Sequence, residues 1–369
     1  MIKVIHILTD CNIGGAGRWL LNFLKAYDKT KLSVEVALPK DSLLTGFVKK
    51  TGTCIYELPY LKEQSFDASA IKPLYQFLKQ KEPDIVHTHA CLTARIAARL
   101  AKIGGIVATR HCLDDEKSML KRPVNRIFNT LLCDKIIAIS EAVKDNLIEH
   151  GTPREKVTVI YNGIPSVKDV TDTEKKEIRE SFGISPLDSV VGIVARLEEL
   201  KGHKYFLEAA SYVKKEINNI KFVIAGTGSQ THNLKPIVKQ YDLEDSVIFT
   251  GYFEDVDKLY RIFDINVMTS VSEALCLSLI EGMSAGLPSV AFETGGITEV
   301  INEECGILVP PMDSKKLSEA IIKLLNNKEL GDKMGNEGKR IADSKFSAKT
   351  MSNKIESLYN ELAFTLIKH

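Results

Sequence analysis

The stretch INVMTSVSEALCLSLIEGMSAGLPSVAF, residues 265–292, decides the fold class because it has the pattern of a strand, a helix and a second strand. INVMTS and PSVAF are short apolar runs typical of buried strands, and a helix between two such strands predicts a parallel βαβ unit. Residues 274–292 carry a single charge, Glu281. A carboxylate removed from water is costly unless hydrogen-bond donors meet it. We therefore expect either the fold or a ligand to supply donors to Glu281.

Strands and helices alternate in the same way along the rest of the chain. The predicted strands of the first half are VIHIL (4–8), SVEVALP (33–39), DIVHTH (84–89), GIVATR (105–110) and DKIIAIS (134–140). After VTVIYNGIPS (157–166) a second series follows, with SVVGIVAR (189–196), NIKFVIAG (219–226), SVIFTG (246–251), INVMTS (265–270), PSVAF (288–292) and GILVP (306–310). The sequence therefore predicts an α/β protein with two Rossmann-like domains, one over residues 1–163 and the other over 164–347.

Composition is that of an ordinary globular protein. Of the 369 residues, 44% are hydrophobic and 26% are charged, and seven scattered cysteines form no CxxC motif. This pattern favours reduced thiols over disulfides or zinc. The opening MIKVIHILTD resembles a buried strand more than a signal peptide, and no uncharged run has the roughly 18–20 residues of a convincing membrane span. We expect a cytoplasmic protein without a nucleic-acid partner.

Charge is unevenly distributed along the chain. Residues 1–165 contain 24 Lys and Arg against 17 Asp and Glu, while the remainder contains 25 against 31. Part of the excess lies in one segment, at Arg95, Arg99, Lys102, Arg110, Lys117, Lys121, Arg122 and Arg126. Because KSMLKRPVNRIF mixes cations with apolar residues, we expect peripheral contact with anionic lipid at the inner face of the membrane. A solvated basic face is the alternative.

Three groups of residues are candidates for chemistry. The first is GGAG, whose glycines at positions 14, 15 and 17 precede a helix that could bind an anion at its N-terminus. It lacks the GxGxxG spacing of a dinucleotide site, and a tight structural turn is the alternative. The second is Arg196 and Lys201, at the end of a predicted strand and the start of the next helix. A guanidinium and an ammonium suit a diphosphate, although they could be surface cations beside Glu198 and Glu199.

The third group is Glu273 and Glu281. Eight positions separate them, so they can serve one ligand only if Glu273 lies in the loop ahead of the helix that carries Glu281. A carboxylate accepts hydrogen bonds well from a vicinal diol such as a ribose. A solvated face is the alternative, and it fits Glu281 poorly.

These motifs in order resemble family 4 of the retaining glycosyltransferases, which have the GT-B fold. The resemblance rests on RLEELKG and on SEALCLSLIEGMSAGLPSVAFETGGITEVI, whose signature residues are Glu273, Glu281, Pro288, Gly295, Gly296 and Glu299. GGAG, DIVHTH, TRH, VIYNGI, IAGTGS and the final helix also have counterparts. The resemblance implies two domains facing each other across a cleft, with the acceptor on the first and the nucleotide-sugar on the second. It also implies that the last helix, about 348–369, packs back on the first domain.

The resemblance assigns roles to individual residues. Arg196 and Lys201 would neutralise the donor diphosphate, Glu273 would contact the sugar or the developing charge, and His111 would reach the hydroxymethyl end of the sugar. Glu281 would bind the ribose, and Gly15 and Ala16 would approach the phosphates from the first domain. A core or hinge histidine is the alternative for His111. The remaining donor-binding residues it implies are Gly226, Ala274, Leu275, Cys276 and Leu277, although the family often has Gly-Phe-Gly or Gly-Phe-Pro where this chain has Ala274-Leu275-Cys276.

The implied enzyme is a metal-independent, retaining, hexosyltransferase-like protein that needs no cofactor. Its substrate would be a nucleotide-sugar, UDP- or GDP-linked, and its acceptor a glycan, a lipid-linked sugar or a small molecule. A nucleotide-sugar epimerase and a non-catalytic nucleotide-sugar-binding protein are the alternatives.

Two further motifs suggest metal sites that we do not expect. Asp255-Val256-Asp257 has the DxD pattern, but it precedes a helix whose N-terminus acidic residues would cap. His87 and His89 lie at a strand end, and we expect them to face opposite sides and share no ion.

Overall fold

The computed structural model describes residues 1–11, 14–89, 91–114 and 122–367. The chain forms two compact units, Met1–Pro165 together with the segment from Phe346, and Ser166–Lys345. The sequence placed the first boundary after residue 163 and the start of the last helix at about 348. In the structure the chain leaves the first unit after Pro165 and returns to it at Phe346.

The first unit is built on a parallel sheet of seven strands. These are β1 (Ile2–Leu8), β2 (Leu32–Pro39), β3 (Cys54–Leu58), β4 (Ile85–His89), β5 (Gly105–Arg110), β6 (Lys135–Ala138) and β7 (Val157–Val159). Their order is β3-β2-β1-β4-β5-β6-β7. The helices are α1 (Gly15–Ala26), α2 (Leu44–Lys49), α3 (Ala68–Lys81), α4 (Leu92–Leu100), α5 (Arg122–Leu132), α6 (Glu141–Glu149) and the last helix of the chain, α14 (Ala348–Ile367).

Helices cover both faces of this sheet, which is why its strands are continuously apolar. On one face, Trp19 and Phe23 of α1 and Tyr359 of α14 join a single apolar core. Leu74 of α3 and Ala97 of α4 belong to the core on the other face. Strand β3 is absent from the predicted strands because it is a half-exposed edge strand that lacks a continuous apolar run.

Backbone hydrogen bonds tie the last helix to the first unit. Ile164 N donates to Phe346 O at 2.9 Å, and Ala348 N donates to Ile164 O at 2.8 Å. A Cβ atom at Gly163 would collide with the carbonyl of Ser347. A glycine is therefore needed where the two segments cross.

The second unit has a parallel sheet of six strands. These are β8 (Ser189–Val194), β9 (Ile220–Ala225), β10 (Val247–Gly251), β11 (Ile265–Met268), β12 (Ser289–Phe292) and β13 (Gly306–Val309), in the order β10-β9-β8-β11-β12-β13. Its helices are α7 (Asp172–Ser181), α8 (His203–Glu216), α9 (Thr231–Gln240), α10 (Val256–Tyr260), α11 (Leu277–Ser284), α12 (Ser314–Asn326) and α13 (Lys328–Lys345).

Both sheets are doubly wound, so the predicted α/β architecture with two Rossmann-like domains is confirmed. The strand order reverses between β1 and β4 in the first sheet and between β8 and β11 in the second. Ligands of such sheets bind outside the carboxyl ends of the strands at these reversal points. No helix among the described residues is both long and apolar enough to cross a membrane.

Candidate functional site

The candidate donor site lies at the carboxyl edge of the second sheet, around the reversal point between β8 and β11. Arg196 follows β8, Gly226 follows β9 and Glu273 follows β11. Because the strands are parallel, the loops that follow them lie at one edge of the sheet. The topology therefore groups residues that are far apart in sequence.

Lys201 and Glu273 form an ion pair at this edge, although 72 residues separate them. Lys201 Nζ contacts Glu273 Oε1, and Ser270 Oγ donates a hydrogen bond of 2.9 Å to the same oxygen. The exposed fractions of the side chains are 20% for Lys201 and 11% for Glu273. The pair is largely shielded from water, so its two charges are held in a fixed place.

Close backbone packing supports the loop that carries Glu273. Gly296 N donates a hydrogen bond of 2.9 Å to Glu273 O. A Cβ atom at Gly296 would collide with the carbonyl of Ala274. One at Gly295, whose φ is +46°, would collide with the carbonyl of Glu273. The Gly-Gly pair of the sequence motif is therefore required for this approach.

Arg196 is exposed, and its guanidinium has no hydrogen-bond partner among the residues that the structure describes. Its neighbour Glu198 accepts hydrogen bonds from Ser229 instead, 2.7 Å from Oγ and 3.2 Å from N. These bonds, reinforced by the charge of Arg196, hold the pKa of Glu198 below its usual range. Glu198 thus stabilises the turn at Ser229, and the Arg196 side chain can turn toward a ligand.

Gly226 permits the ends of two neighbouring strands to approach each other. Its φ is +141°, and a Cβ atom there would collide with the carbonyl of Ala195. Its N–H donates to Gly251 O at 2.9 Å. The structure explains this glycine by backbone packing, and its contact with a donor stays a prediction.

Glu281 lies within α11 and is 5% exposed. The hydroxyl of Tyr260, itself fully buried, donates a hydrogen bond of 2.9 Å to Glu281 Oε2. The fold therefore supplies a donor to this isolated carboxylate. Tyr260 was missed by the sequence analysis because it lies 21 residues away in another helix, with no local signal linking the two.

Three residues connect Glu273 to α11, and they are Ala274, Leu275 and Cys276, while Leu277 is already part of the helix. The helix begins at Leu277, so Glu273 lies in the loop ahead of it, as the spacing required. Burial, together with the nearby Glu273 carboxylate, raises the pKa of Cys276 to about 12. The thiol is therefore neutral near pH 7 and is not a nucleophile.

In the first unit, α1 begins at Gly15, close to the carboxyl end of β1. Its N-terminus has no side-chain cap and no acidic residue in its first turn. A Cβ atom at Gly15 would meet nothing within 4 Å, so packing does not require a glycine there. Gly15 and Ala16 thus lie where a helix N-terminus can bind an anion, while Asn12 and Ile13 lie outside the described residues.

His111 follows β5 and belongs to a cluster with His6, His87 and His89. His111 Nε2 lies 2.9 Å from His89 Nδ1, and the rings of His87 and His89 stack with centroids 4.6 Å apart. The prediction that His87 and His89 face opposite sides is wrong, because residues i and i+2 of a strand share a face. Burial, helped by the charge of Arg110, lowers the pKa of His111 to about 3.

The DxD motif has structural partners. Asp257 Oδ2 accepts a hydrogen bond of 3.2 Å from Lys168 N. Asp255 occupies the N-cap position of α10, but its side chain makes no capping hydrogen bond, so the predicted cap is wrong at this residue. Across the described parts of the chain, His6, His87 and His89 form the one group with metal-ligand spacing, and the DxD residues form none.

Two family models match the chain and together span most of it. The model described as Glycosyltransferase Family 4 matches residues 13–167. The model described as Glycosyl transferases group 1 matches residues 174–341. The two matches coincide closely with the two compact units.

Relatives of similar length carry glycosyltransferase names. The UDP-Gal:alpha-D-GlcNAc-diphosphoundecaprenol alpha-1,3-galactosyltransferase of Escherichia coli is 26% identical, over 98% of this chain and 97% of that protein. The N-acetyl-alpha-D-glucosaminyl L-malate synthase of Bacillus anthracis is 24% identical, over 80% of each chain. Anabaena HepE, solved in complex with UDP-glucose, superposes with a TM-score of 0.86 at 20% identity, over 98% of this chain and 100% of that one. These matches favour a glycosyltransferase over the epimerase and the non-catalytic binding protein.

Proposed function

The chain belongs to the family 4 glycosyltransferases with the GT-B fold, and from this premise we propose that it transfers a hexose from a UDP-sugar with retention of configuration and without a metal ion. The observation that carries the proposal is the shielded Lys201–Glu273 pair at the same edge of the sheet as Arg196, whose guanidinium has no hydrogen-bond partner among the described residues. Two cations at the carboxyl edge of the sheet suit a diphosphate, and a carboxylate beside them suits a sugar that develops positive charge. The UDP in the complex with HepE and in the name of the E. coli relative supports this choice of nucleotide.

The reaction would break the bond between the anomeric carbon and the diphosphate oxygen and form a bond from that carbon to an acceptor hydroxyl. Arg196 and Lys201 would stabilise the charge that develops on the departing diphosphate. Glu273 is the carboxylate at this edge, and its contacts with Lys201 and Ser270 favour a role beside the developing charge over that of a dedicated base. The proton of the acceptor hydroxyl would therefore pass to the leaving phosphate oxygen on the same face, which retains the configuration. The cations would do the work that a metal ion does in other transferases.

Donor hydrolysis tests this proposal without knowledge of the acceptor, because water can take the acceptor's place. We would incubate the enzyme with UDP-glucose, UDP-galactose and UDP-N-acetylglucosamine and follow the released sugar by proton NMR. The expected first product is the α-anomer, at a rate that EDTA does not change. First release of the β-anomer would refute retention, and loss of activity in EDTA would refute metal independence.

Isomerised UDP-sugar would indicate an epimerase. UDP binding without hydrolysis, and without transfer to glycan or lipid-linked acceptors, would indicate a binding protein. Lys201→Ala should slow this hydrolysis. Lys204→Ala is its matched control and should hydrolyse the donor as the wild type does, because Lys204 is an exposed cation three positions from Lys201 and forms no ion pair among the described residues.

We further propose that the acceptor is lipid-linked and that the enzyme contacts an anionic membrane surface through α5. The polar and apolar faces of this helix are the reverse of those of an ordinary surface helix, whose apolar face is buried. Asn125 and Asn129 point inward, where Asn129 Nδ2 donates to Thr152 Oγ1 at 2.8 Å. The exposed fractions of its outward apolar side chains are 49% at Val124, 55% at Ile127, 38% at Phe128 and 60% at Leu131.

The positive charge of this surface favours an anionic bilayer as its partner. Arg122 and Arg126 are exposed on the same helix as the apolar face. A helix with an apolar stripe and cations binds in the interface of anionic lipid, at about 1 kcal/mol per cation. The undecaprenol-linked substrate in the name of the E. coli relative supports a lipid-linked acceptor.

Other cations of this segment are used within the protein. Arg95 Nη1 donates to Asn129 Oδ1 at 2.9 Å, Arg99 pairs with Asp134 at 2.9 Å, and Arg110 pairs with Asp114. Of the cations expected to form a basic patch, those that the structure describes as exposed are Lys102 and, on α5, Arg122 and Arg126. Lys117 and Lys121 lie outside the described residues.

Vesicle co-sedimentation tests the membrane proposal. The Ile127→Gln/Leu131→Gln variant should lose binding to phosphatidylglycerol vesicles. The Leu187→Gln variant is the control, because Leu187 is 79% exposed but lies in the second unit, and it should bind as the wild type does. Equal loss in both variants, or negligible wild-type binding at low salt, would refute a role for α5.

A further inference from the structure

A chain of buried hydrogen bonds in the first unit ends at His111. Its members, in order, are Thr109, His87, Tyr359, His6, His89 and His111. His87 lies between two hydroxyls: its Nε2 is 2.6 Å from Thr109 Oγ1, and its Nδ1 is 2.5 Å from the Tyr359 hydroxyl. That hydroxyl is also 3.2 Å from His6 Nε2. From His6 the chain continues through His89, with 3.2 Å from His6 Nδ1 to His89 Nε2 and 2.9 Å from His89 Nδ1 to His111 Nε2. This relay lies at the reversal point between β1 and β4, where His6 and His87 are register partners.

The members of the relay are neutral. His6, His87 and Tyr359 are fully buried, and His89 is 3% exposed. Burial lowers the pKa of His6 to about 3, lowers the pKa values of His87 and His89 well below 6.5, and raises that of Tyr359 well above 10. Each neutral imidazole then carries one N–H donor and one bare nitrogen, and each hydroxyl carries one hydrogen.

One hydrogen per member restricts the relay to two states. Each of its five bonds needs one hydrogen between the two partners, so neighbouring members must donate in the same direction. The one exception would be a Tyr359 hydroxyl that accepts from both His87 and His6, and it is disfavoured because the hydrogen of Tyr359 would then have no acceptor among the described residues. If all donate toward His111, all four histidines are protonated on Nδ1. If all donate toward Thr109, all four are protonated on Nε2. A mixed arrangement would leave one bond with two hydrogens or with none.

The end groups decide between the two states. Thr109 is 2% exposed, and within the described part of the chain its hydroxyl has no hydrogen-bond partner other than His87 Nε2. Donation toward Thr109 would therefore leave the threonine hydrogen without an acceptor and His111 Nδ1 without a donor. Donation toward His111 leaves a single group unsatisfied, the N–H at His111 Nδ1, which is shielded from solvent and unpartnered among the described residues. Donation toward His111 is therefore favoured, because it leaves fewer buried groups unsatisfied.

We propose that this relay holds His111 as the Nδ1–H tautomer, so that it donates a hydrogen bond to an oxygen of the donor sugar, with Thr109 and Tyr359 as positioning residues. The contact with the sugar rests on the proposed function, whereas the tautomer does not. Tyr359 brings α14 into the site of the first unit, although it lies 353 residues from His6. The final helix thus has a role in the chemistry of His111 as well as in packing.

A metal centre at the same cluster is the competing explanation. One ligand atom each from His6, His87 and His89 lies within 4.8 Å of the others. However, all six ring nitrogens of these residues already take part in the relay, so an ion would have to displace its hydrogen bonds. The relay satisfies these nitrogens without an ion.

Nitrogen NMR of the full chain labelled with ¹⁵N-histidine reports the tautomers directly. The expected result is that His6, His87, His89 and His111 all carry the proton on Nδ1, with assignments from through-bond correlations in the wild-type protein, since replacing a member would itself cut the relay. Protonation on Nε2 at these residues would overturn the proposal. A change in their resonances on addition of one equivalent of Zn²⁺ would overturn it in favour of a metal centre.

Variants separate the relay from a merely structural role. Thr109→Val removes the hydroxyl that biases the relay, so signals of the Nε2–H tautomer should appear, while Thr109→Ser should restore the wild-type pattern. Tyr359→Phe cuts the relay in its middle, so mixed tautomers should appear at His6, His89 and His111 but not at His87. Thr88→Val is the matched control, because Thr88 is also buried in the sheet but bonds to Val107 O. Unchanged tautomers in both Thr109→Val and Tyr359→Phe would overturn the positioning roles.

The contact with the sugar has its own readout. The UDP-sugar that the enzyme hydrolyses fastest should shift the His111 Nδ1–H resonance, and UDP alone should not. Thr109→Val should lower kcat/KM for that UDP-sugar roughly three- to tenfold, the scale of one neutral hydrogen bond, and leave the Kd of UDP unchanged. Equal shifts with UDP and the UDP-sugar would overturn the sugar contact. If no UDP-sugar is hydrolysed, the proposed function fails, and the tautomers of the ligand-free protein still decide the relay.

Discussion

Glu281→Gln tests the proposed ribose contact with little change of shape. The amide keeps the size of the side chain, and its oxygen can still accept the hydrogen bond from Tyr260. What is lost is the negative charge at a position that is 5% exposed. The fold should therefore be retained, and the effect should appear in nucleotide binding.

The magnitude follows from the two hydrogen bonds that a ribose diol can donate. A hydrogen bond to a charged group contributes about 1.5–3 kcal/mol and one to a neutral group about 0.5–1.5 kcal/mol. The difference is about 1–1.5 kcal/mol for each bond and about 2–3 kcal/mol over the diol, so the Kd of UDP should rise roughly 30- to 150-fold. Isothermal titration calorimetry with UDP measures this change.

Comparing two nucleotides on the wild type and on Glu281→Gln isolates the contact between Glu281 and the ribose. Removing both ribose hydroxyls, in 2′,3′-dideoxy-UDP, should weaken binding to the wild type by a similar factor but should weaken binding to Glu281→Gln much less. Glu356→Gln is the matched control, because Glu356 is also a buried glutamate, 4% exposed, but belongs to the first unit, where it accepts a hydrogen bond from Asp28 N. If Glu281→Gln discriminated the two nucleotides as strongly as the wild type, Glu281 would not be the ribose ligand.

Three further perturbations test other parts of the structure. Arg196→Ala should lower kcat roughly 10²–10³-fold in the donor hydrolysis assay. The double variant with Lys201→Ala should lose less activity than the two single effects combined, because both cations act on one diphosphate. A near-normal kcat with saturating donor would contradict this role. Gly296→Ala should lower the free energy of unfolding in urea by about 1–3 kcal/mol, because its Cβ would collide with the Ala274 carbonyl, whereas Gly46→Ala, with nothing within 4 Å, should not lower it. Acid should destabilise the protein, because the folded-state pKa values of His6, His111 and His203 are lowered to about 3, 3 and 4. Between pH 6.5 and 4 the unfolded chain therefore binds protons that the folded chain does not. The free energy of unfolding should fall over this range by up to about 1.4 kcal/mol per pH unit for each such histidine. A free energy of unfolding that stays constant from pH 7 to pH 5 would show that these histidines are not buried and neutral.

The sequence alone determined the architecture and the loop that carries Glu273. Apolar strands buried on both faces need continuous runs of Val and Ile, and the helices between them need three- and four-residue spacing, so both signals are local. The edge strand β3 was missed because its side chains are mostly exposed or only partly buried and form no apolar run. The position of Glu273 ahead of α11 could be predicted because it follows from spacing within one segment.

Only the tertiary structure decided which polar groups meet. Lys201 contacts Glu273, which is 72 residues away in sequence. Tyr260 and Glu281, which form a hydrogen bond, are 21 residues apart, and Tyr359 and His6 are 353 residues apart. No local pattern records such pairs, because each partner's own segment is explained by its helix or strand. The error at His87 and His89 came from applying the strand period wrongly, and the neighbouring strand and α14 then determined what the two rings contact. Burial makes each of these contacts obligatory, since a polar group without water must find its partner in the fold, wherever the chain places it.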